Sequence, residues 1–135
     1  MKQFIIIALL LLAKFSFAQT AIPKNIQNTF AGVWEMKEKH STNTVSIRFE
    51  PGKNYAIVKD IGNGMAPPRI LHATLEGKRF VIPAQREQNA YIELEVIKGM
   101  LHLWLKPANW DKNGNRITNG DQKFRESVFK RAEKW

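Results

Sequence analysis

Histidines are the residues of this chain best suited to metal binding or to proton transfer near neutral pH. The three of them, His40, His72 and His102, are spread over different predicted elements. A metal site needs ligands that converge with a defined geometry, and the spacing between these histidines is not typical of one. The chain has no cysteine, which excludes thiolate metal ligands and thiol nucleophiles. The sequence therefore predicts no metal site and no cofactor.

The chain contains none of the short motifs that are typical of nucleophile elbows, zinc proteases, phosphate loops or dinucleotide sites. Its acidic residues fall mostly on outward positions of predicted strands, so no pair of carboxylates is expected to converge. Residues 111–115 resemble a calcium loop, but the glycine is misplaced and Gln122 stands where a bidentate glutamate is needed. Turn formation explains the Asn-Gly pair better. We therefore predict that the protein is not an enzyme.

Trp110 is the most suggestive residue for ligand binding, because it lies in a long predicted loop among Asn, Gly and Lys. A large apolar ring in such a loop either closes over a bound ligand or anchors the loop to the rim of the fold. Met65, in another long loop with Pro67 and Pro68, is a further candidate for contact with a ligand. Alternatively, an apolar patch formed by these loop residues would bind a protein partner.

Arg69, Tyr91 and Trp104 lie near strand ends next to the same long loops, and they complete the set of candidate ligand-binding residues. Arg69 is suited to an anionic group of a ligand, and Trp104 offers a surface for stacking. On the strand of Trp104, leucines at positions 101, 103 and 105 alternate, which favours them as the inward side. That register turns Trp104 outward, whereas the opposite register would place it inside.

Alternation of apolar and polar residues, which indicates β-strands with one buried face, recurs along the chain from residue 30 onward. Turn-forming pairs such as Pro51-Gly52 and Lys98-Gly99 separate the segments. No segment has the pattern of a long amphipathic helix. Eight strands are predicted, over residues 30–37, 44–49, 55–59, 69–75, 79–82, 91–96, 101–105 and 123–131.

Eight short strands joined mostly by hairpin turns favour an all-β fold, an antiparallel up-and-down barrel, because closure leaves no exposed sheet edge. Successive turns of such a barrel lie at alternate ends. Ile22, Ile26 and Phe30, each four residues apart, predict a short N-terminal helical turn that covers one end. The turns fall into a long set and a short set, so one end is expected to be open and rich in loops and the other closed. The long set is 39–43, 61–68, 84–89 and 107–122, and the short set is 51–53, 76–78 and 98–99.

Residues 1–18 have the features of a secretory signal peptide: Lys2, an unbroken apolar run over 4–13, and small residues at Ser16 and Ala18. The apolar run is well short of the ~20 residues that span a bilayer. An uncleaved interfacial anchor is the alternative. We therefore expect export to the periplasm or secretion, with cleavage near Ala18. The remaining chain, 19–135, is expected to be a single domain without a transmembrane segment.

The formal net charge of +9 favours contact with anionic partners such as lipid head groups, acidic glycans or an acidic ligand. The densest basic cluster, over 123–134, is interrupted by Glu126 and Glu133. Positive charge dispersed in this way is typical of ordinary solvated surface. An exported protein without a recognisable nucleic-acid-binding motif is not expected to bind nucleic acid.

Gly32-x-Trp34 on the first predicted strand, and Arg131 near the end of the last one, resemble the lipocalins and their calycin relatives. The likeness is greatest to the small lipocalin-like domains of exported bacterial proteins. The resemblance implies a tryptophan at the closed end of the barrel, covered by the N-terminal turn, with a basic side chain from the last strand packed across it. Arg131 would then stack on Trp34 as a cation on a ring. The chain departs from the family in its shorter length and in lacking a C-terminal helix and cysteines.

The resemblance and the strand pattern together imply a non-catalytic binding protein that holds a small apolar or amphipathic ligand in the lumen of the barrel. The alternative is an interaction module whose barrel is filled by side chains. Such a module would bind a protein or an anionic envelope polymer through the long loops or the basic surface. An enzyme would need two titratable groups that converge in the lumen, and the strand pattern predicts no such pair.

Overall fold

The computed structural model of the protein describes residues 20–117 and 123–135. The predicted signal peptide, 1–18, lies outside the described residues, as do Gln19 and residues 118–122. The described residues form one helix, α1 (Lys24–Phe30), and ten strands. The strands are β1 (Gly32–Lys37), β2 (Thr42–Arg48), β3 (Tyr55–Gly62), β4 (Arg69–Glu76), β5 (Arg79–Ile82), β6 (Tyr91–Ile97), β7 (Met100–Lys106), β8 (Asn109–Trp110), β9 (Arg116–Ile117) and β10 (Arg125–Lys134).

Eight strands close into an antiparallel barrel in the order β1-β10-β7-β6-β5-β4-β3-β2. This arrangement confirms the predicted all-β, up-and-down fold, and the predicted N-terminal helical turn is present as α1. The barrel closes where β1 pairs with β10, with Trp34 opposite Arg131. Because every barrel strand has a partner on both sides, the sheet has no free edge to pair with another chain.

Within the segment 107–122, which the sequence predicts as a loop, β8 and β9 form a small hairpin outside the barrel. Asp111 holds its turn: Oδ1 accepts hydrogen bonds from the backbone N–H groups of Asn113 at 2.9 Å and Asn115 at 2.8 Å. Strands of two residues are too short for an alternating pattern to be recognised in the sequence. The loop prediction was wrong here for that reason.

Side chains at alternate positions of the barrel strands point inward and form one apolar core. On β7 the inward positions are the three leucines, and Leu101 is fully buried. These leucines pair with the inward residues of β6, so the register that the alternation favours is the one present. The largest fully buried side chains are Trp34, Phe80, Ile47, Leu94 and Leu101.

Aromatic packing closes the end of the barrel next to α1. Phe30 meets Phe80 edge to face, with ring centroids 4.8 Å apart. Trp34 is 1% exposed, and its indole Nε1 donates a hydrogen bond to the Phe30 carbonyl at 2.9 Å. The Arg131 guanidinium lies over the Trp34 ring, 4.4 Å from its centroid, and donates to the carbonyl of Thr29. The helix, the first strand and the last strand are therefore joined at one point.

Gly32 stands where β1 comes closest to β10. Its φ is +138°, and a Cβ at this position would lie 2.1 Å from the carbonyl oxygen of Glu133. Only glycine fits such a close approach between two backbones. The pairing register between the two strands shifts directly afterwards, between Val33 and Trp34. The register skips Ala132, so the irregularity is a β-bulge on the last strand, which bends that strand at the seam of the barrel.

Candidate ligand-binding site

The barrel holds a cavity of about 380 Å³ at the end opposite α1, where the long loops lie. The walls are inward-facing side chains of the barrel strands, and most of them are aliphatic. They include Val45, Val58, Leu71, Ile92, Leu94 and Leu103. Side chains fill the other half of the barrel, so the space for a ligand is confined to the loop-rich half.

Polar and charged side chains line the rim of this cavity, where the aliphatic walls end. Arg69 spans part of the rim: its Nη2 lies 2.5 Å from Oδ2 of Asp60 on the neighbouring strand. Its Nη1 donates to the backbone carbonyl of Gln88, in the loop between β5 and β6, at 2.7 Å. Arg69 is therefore held between a strand and a loop, and it fixes that loop to the rim.

The structure adds residues to the rim that we did not predict from the sequence: Asp60, Arg125, Asn43, Thr44 and Ser127. The sequence contains a signal for two of these rim residues. Asp60 continues the inward phase of Ala56 and Val58 on β3, and Arg125 continues that of Ser127 and Phe129 on β10. Asp60 lies one residue beyond the third predicted strand and Arg125 lies within the last one, but a charged residue is not expected at an inward position.

Trp110 lies at the outer side of the rim, half-buried, on β8. It lines a more open depression of about 400 Å³ that shares Arg69, Leu105 and Arg125 with the cavity. Trp110 is thus next to the opening. Its position is compatible both with closing over a ligand and with anchoring the hairpin, so the two alternatives from the sequence stay open.

Asn89 fixes the loop on which Gln88 lies. It is 7% exposed, and its Nδ2 donates to the carbonyls of Pro83 at 2.9 Å and Ala90 at 2.8 Å. Its Oδ1 is buried and has no hydrogen-bond donor among residues 20–117 and 123–135. Because this amide holds both ends of the loop, the carbonyl that receives Arg69 has a defined position.

Trp104 lies on the outside of the barrel and does not line the cavity. The Arg79 guanidinium covers its ring at 4.6 Å from the centroid, and His102 stacks beside it. Arg79 in turn pairs with Glu93 at 2.6 Å and Glu95 at 3.2 Å. The ring is therefore part of an outer ladder of side chains across β5, β6 and β7.

Tyr91 belongs to the same outer surface, where its hydroxyl donates to Oε1 of Glu93 at 2.8 Å. Burial, and next this hydrogen bond, raise the pKa of Tyr91 from 10 to about 12. Met65 is 89% exposed in the loop after β3 and is not part of the cavity wall. Of the candidate residues from the sequence, the structure thus brings Arg69 and Trp110 together at the opening.

The three histidines are separate. His72 stacks on Tyr55 with centroids 4.3 Å apart, and Nδ1 of His102 lies 2.6 Å from Oε1 of Glu126. His40 is exposed between β1 and β2. Within the part of the chain that the structure describes, no three His, Asp or Glu side chains come together as metal ligands would.

The site offers apolar walls, a narrow polar rim and a fixed arginine, which together suit the binding of a small molecule. Among residues 20–117 and 123–135, no helix has the length and apolar character to cross a membrane. No family model, curated protein or solved structure matches the chain.

Proposed function

We propose that the protein is an exported, lipocalin-like binding protein that holds a small apolar or amphipathic ligand, without catalysis, in the cavity of its barrel. The observation that supports this proposal is an aliphatic cavity of about 380 Å³ that opens through a polar rim. Small-molecule sites occupy roughly 300–1,000 Å³, so the volume suits a small ligand. Burial of its apolar part would contribute about 0.8 kcal/mol for each CH₂ group.

Native mass spectrometry of the protein, purified gently from its own host, tests both export and ligand binding. We expect a chain that begins near Gln19, together with a reproducible added mass that is lost on denaturation. The added mass would identify the ligand. A chain that retains residues 1–18 would contradict export, and a bare mass together with failure to bind apolar probes would contradict ligand binding.

A variant that fills the cavity locates the ligand. Leu103→Trp adds a ring to an inward position of the cavity wall. We expect it to reduce binding of the neutral fluorescent probe N-phenyl-1-naphthylamine at least tenfold, because the space for the probe is lost. Ile70→Trp is the matched control, since it adds the same ring at an outer position that is 62% exposed. Equal binding by Leu103→Trp and the wild-type protein, with both folded, would place the probe outside the barrel.

An interaction module is the second candidate function, and the apolar surface outside the barrel favours it. Met65 is 89% exposed, Ile70 62% and Trp135 52%. Ile70 and Trp135 line a shallow depression of about 370 Å³ together with Arg48 and Lys59. Binding of a protein or an anionic envelope polymer to this surface would be lost in Ile70→Ser and retained in Leu103→Trp. The first proposal therefore predicts that Leu103→Trp loses ligand binding, and the second that Ile70→Ser loses partner binding.

A further inference from the structure

Among residues 20–117 and 123–135, the charged groups that line the cavity are one carboxylate and two guanidinium groups: Asp60, Arg69 and Arg125. Asp60 and Arg69 form an ion pair at 2.5 Å, and Arg69 also donates to the carbonyl of Gln88. The negative charge of Asp60 is thus neutralised by Arg69. The second arginine gives the rim of the cavity a net positive charge.

Arg125 begins β10 and lies opposite Leu105 on β7, which is an inward position. It lines both the cavity and the outer depression, so it stands at the passage between them. Within the described ranges none of the ion pairs includes Arg125. The adjacent acid, Glu126, points to the outer surface, where it pairs with His102. Glu87 also lines the outer depression.

The inward face of β10 changes in polarity from the rim to the interior. Arg125 is followed on the same face by the hydroxyl of Ser127 and then by Phe129, which is 4% exposed. Leu94, fully buried, forms the cavity wall at the same depth as Leu103, its partner on β7. A ligand that lies along β10 therefore meets a cation first, then a hydroxyl, and then only apolar side chains.

From this arrangement we infer that the ligand is an anionic amphiphile, with its carboxylate or phosphate head at Arg125 and its apolar tail among the aliphatic walls. This inference rests on the proposed function. A guanidinium group forms paired, charge-assisted hydrogen bonds with such a head. A cationic head at the same position would be repelled by the net positive rim. A neutral hydroxyl head would accept a hydrogen bond from the guanidinium group, but it would lack the opposite charge and the second paired bond.

Three amphiphiles with the same ten-carbon tail separate the contribution of the head from that of the tail. Decanoate, decanol and decyltrimethylammonium are compared at equal ionic strength by displacement of N-phenyl-1-naphthylamine. We expect decanoate to bind at least tenfold more tightly than decanol, because only the carboxylate carries the opposite charge and accepts two parallel hydrogen bonds from the guanidinium group. Decyltrimethylammonium is expected to bind more weakly than decanol.

Arg125→Met removes the charge and keeps an apolar side chain of similar length. We expect the variant to bind decanoate about as weakly as decanol, with its affinity for decanol unchanged. Arg48→Met is the matched control, because Arg48 lies on the outside of the barrel, where it pairs with Glu50. The control is expected to keep the wild-type preference for decanoate.

The outcomes distinguish this inference from the proposed function. Two results would contradict an anionic head group and leave ligand binding itself unaffected. One is equal affinity of the wild-type protein for decanoate and decanol. The other is an equal loss of affinity for both ligands in Arg125→Met. Loss of the preference in Arg48→Met as well would assign it to the overall charge of the protein and overturn the role of Arg125. Failure of the wild-type protein to bind any of the three ligands, or the probe, would overturn the proposed function itself.

Discussion

Glu93 on the outside of β6 receives two hydrogen bonds, from Tyr91 at 2.8 Å and from Arg79 at 2.6 Å. It therefore links the aromatic ring at one end of the outer ladder to the guanidinium that covers Trp104. An ionised carboxylate accepts both donors, and it opposes ionisation of the phenol because the phenolate would be a second negative charge. The raised pKa of Tyr91 follows first from burial of the ring and then from this contact.

Ionisation of Tyr91 is expected at about pH 12 in the folded protein rather than at pH 10. The chain has two tyrosines, so Tyr55→Phe leaves Tyr91 as the only phenol, and its ionisation is followed by ultraviolet absorbance. Adding Glu93→Gln to this variant should lower the midpoint, because the negative charge and its hydrogen bond are lost. An unchanged midpoint after Glu93→Gln would contradict a contribution of Glu93 to the raised pKa of Tyr91.

The raised pKa of Tyr91 also makes the stability of the protein fall at high pH. Because the folded-state pKa of Tyr91 lies above the unfolded-state value of 10, its contribution to the free energy of unfolding is complete below pH 10. The contribution is lost as the pH rises from 10 to about 12, since the unfolded chain releases its proton first. Tyr91→Phe should remove this part of the pH dependence.

At the scale of elements, α1 is a short helix that depends on the barrel for its stability. Its seven residues are too few to be stable alone, and its start has no side-chain cap. Phe30, at its end, is 2% exposed and packs on Phe80 inside the barrel. Arg131 binds its last turn from β10 through the carbonyl of Thr29. The helix thus covers the closed end, where Ile26 and Phe30 pack on the core and Trp34 and Arg131 donate hydrogen bonds to its last turn.

Replacing Arg131 tests how strongly this helix is held. Arg131→Met should lower the free energy of unfolding by about 2 kcal/mol, because the stacking on Trp34 and the hydrogen bond to Thr29 are both lost. Lys130→Met is the control on the outer face of the same strand and should change stability little. Urea unfolding gives both values, and equal small effects of the two variants would contradict a role of Arg131 in holding the helix.

At the scale of the whole molecule, the fold depends on one seam, where the first and last barrel strands meet. The strands come from opposite ends of the sequence, so their pairing is the least local contact in the barrel. Gly32 permits that pairing by leaving room for the carbonyl of Glu133. The seam also brings together Trp34 and Arg131, so closure of the barrel and closure of its end occur at the same place.

Adding one methyl group at Gly32 should therefore weaken the whole barrel. We expect Gly32→Ala to lower the free energy of unfolding by about 3 kcal/mol or more, because the methyl group meets a backbone atom and the φ of +138° is strained for alanine. Gly52→Ala is the matched control: φ is +75° and no atom lies within 4 Å of its Cβ. Gly52→Ala should lower the free energy of unfolding by only about 1–2 kcal/mol, which is the strain of a left-handed backbone conformation at alanine.

If the two alanine variants are equally stable, backbone strain alone accounts for the effect and the close approach at the seam is unimportant. Chemical denaturation followed by tryptophan fluorescence provides the comparison, since Trp34 lies beside the substituted residue. A larger loss of stability in Gly32→Ala than in Gly52→Ala supports the seam as the element on which closure depends.

The sequence by itself determined the class of fold, the number of barrel strands and the presence of an N-terminal helical turn. Apolar residues recur every second position on the strands and every fourth position in the helical turn before the first strand. These spacings specify which side chains are buried, and they can be read from a short stretch of sequence. The same pattern identified the leucines of β7 as the inward side. The difference between long and short turns indicated which end would be open, and the cavity lies at that end.

Only the tertiary structure decided which residues form the rim of the cavity. Asp60 and Arg69 come from adjacent strands, Arg125 comes from the end of the chain, and their meeting depends on closure of the barrel. The need for glycine at position 32 likewise depends on a carbonyl of the last strand. A pattern along one strand shows which way a side chain points. Which side chain it meets across the lumen depends on the shear and diameter of the barrel, which all eight strands set together.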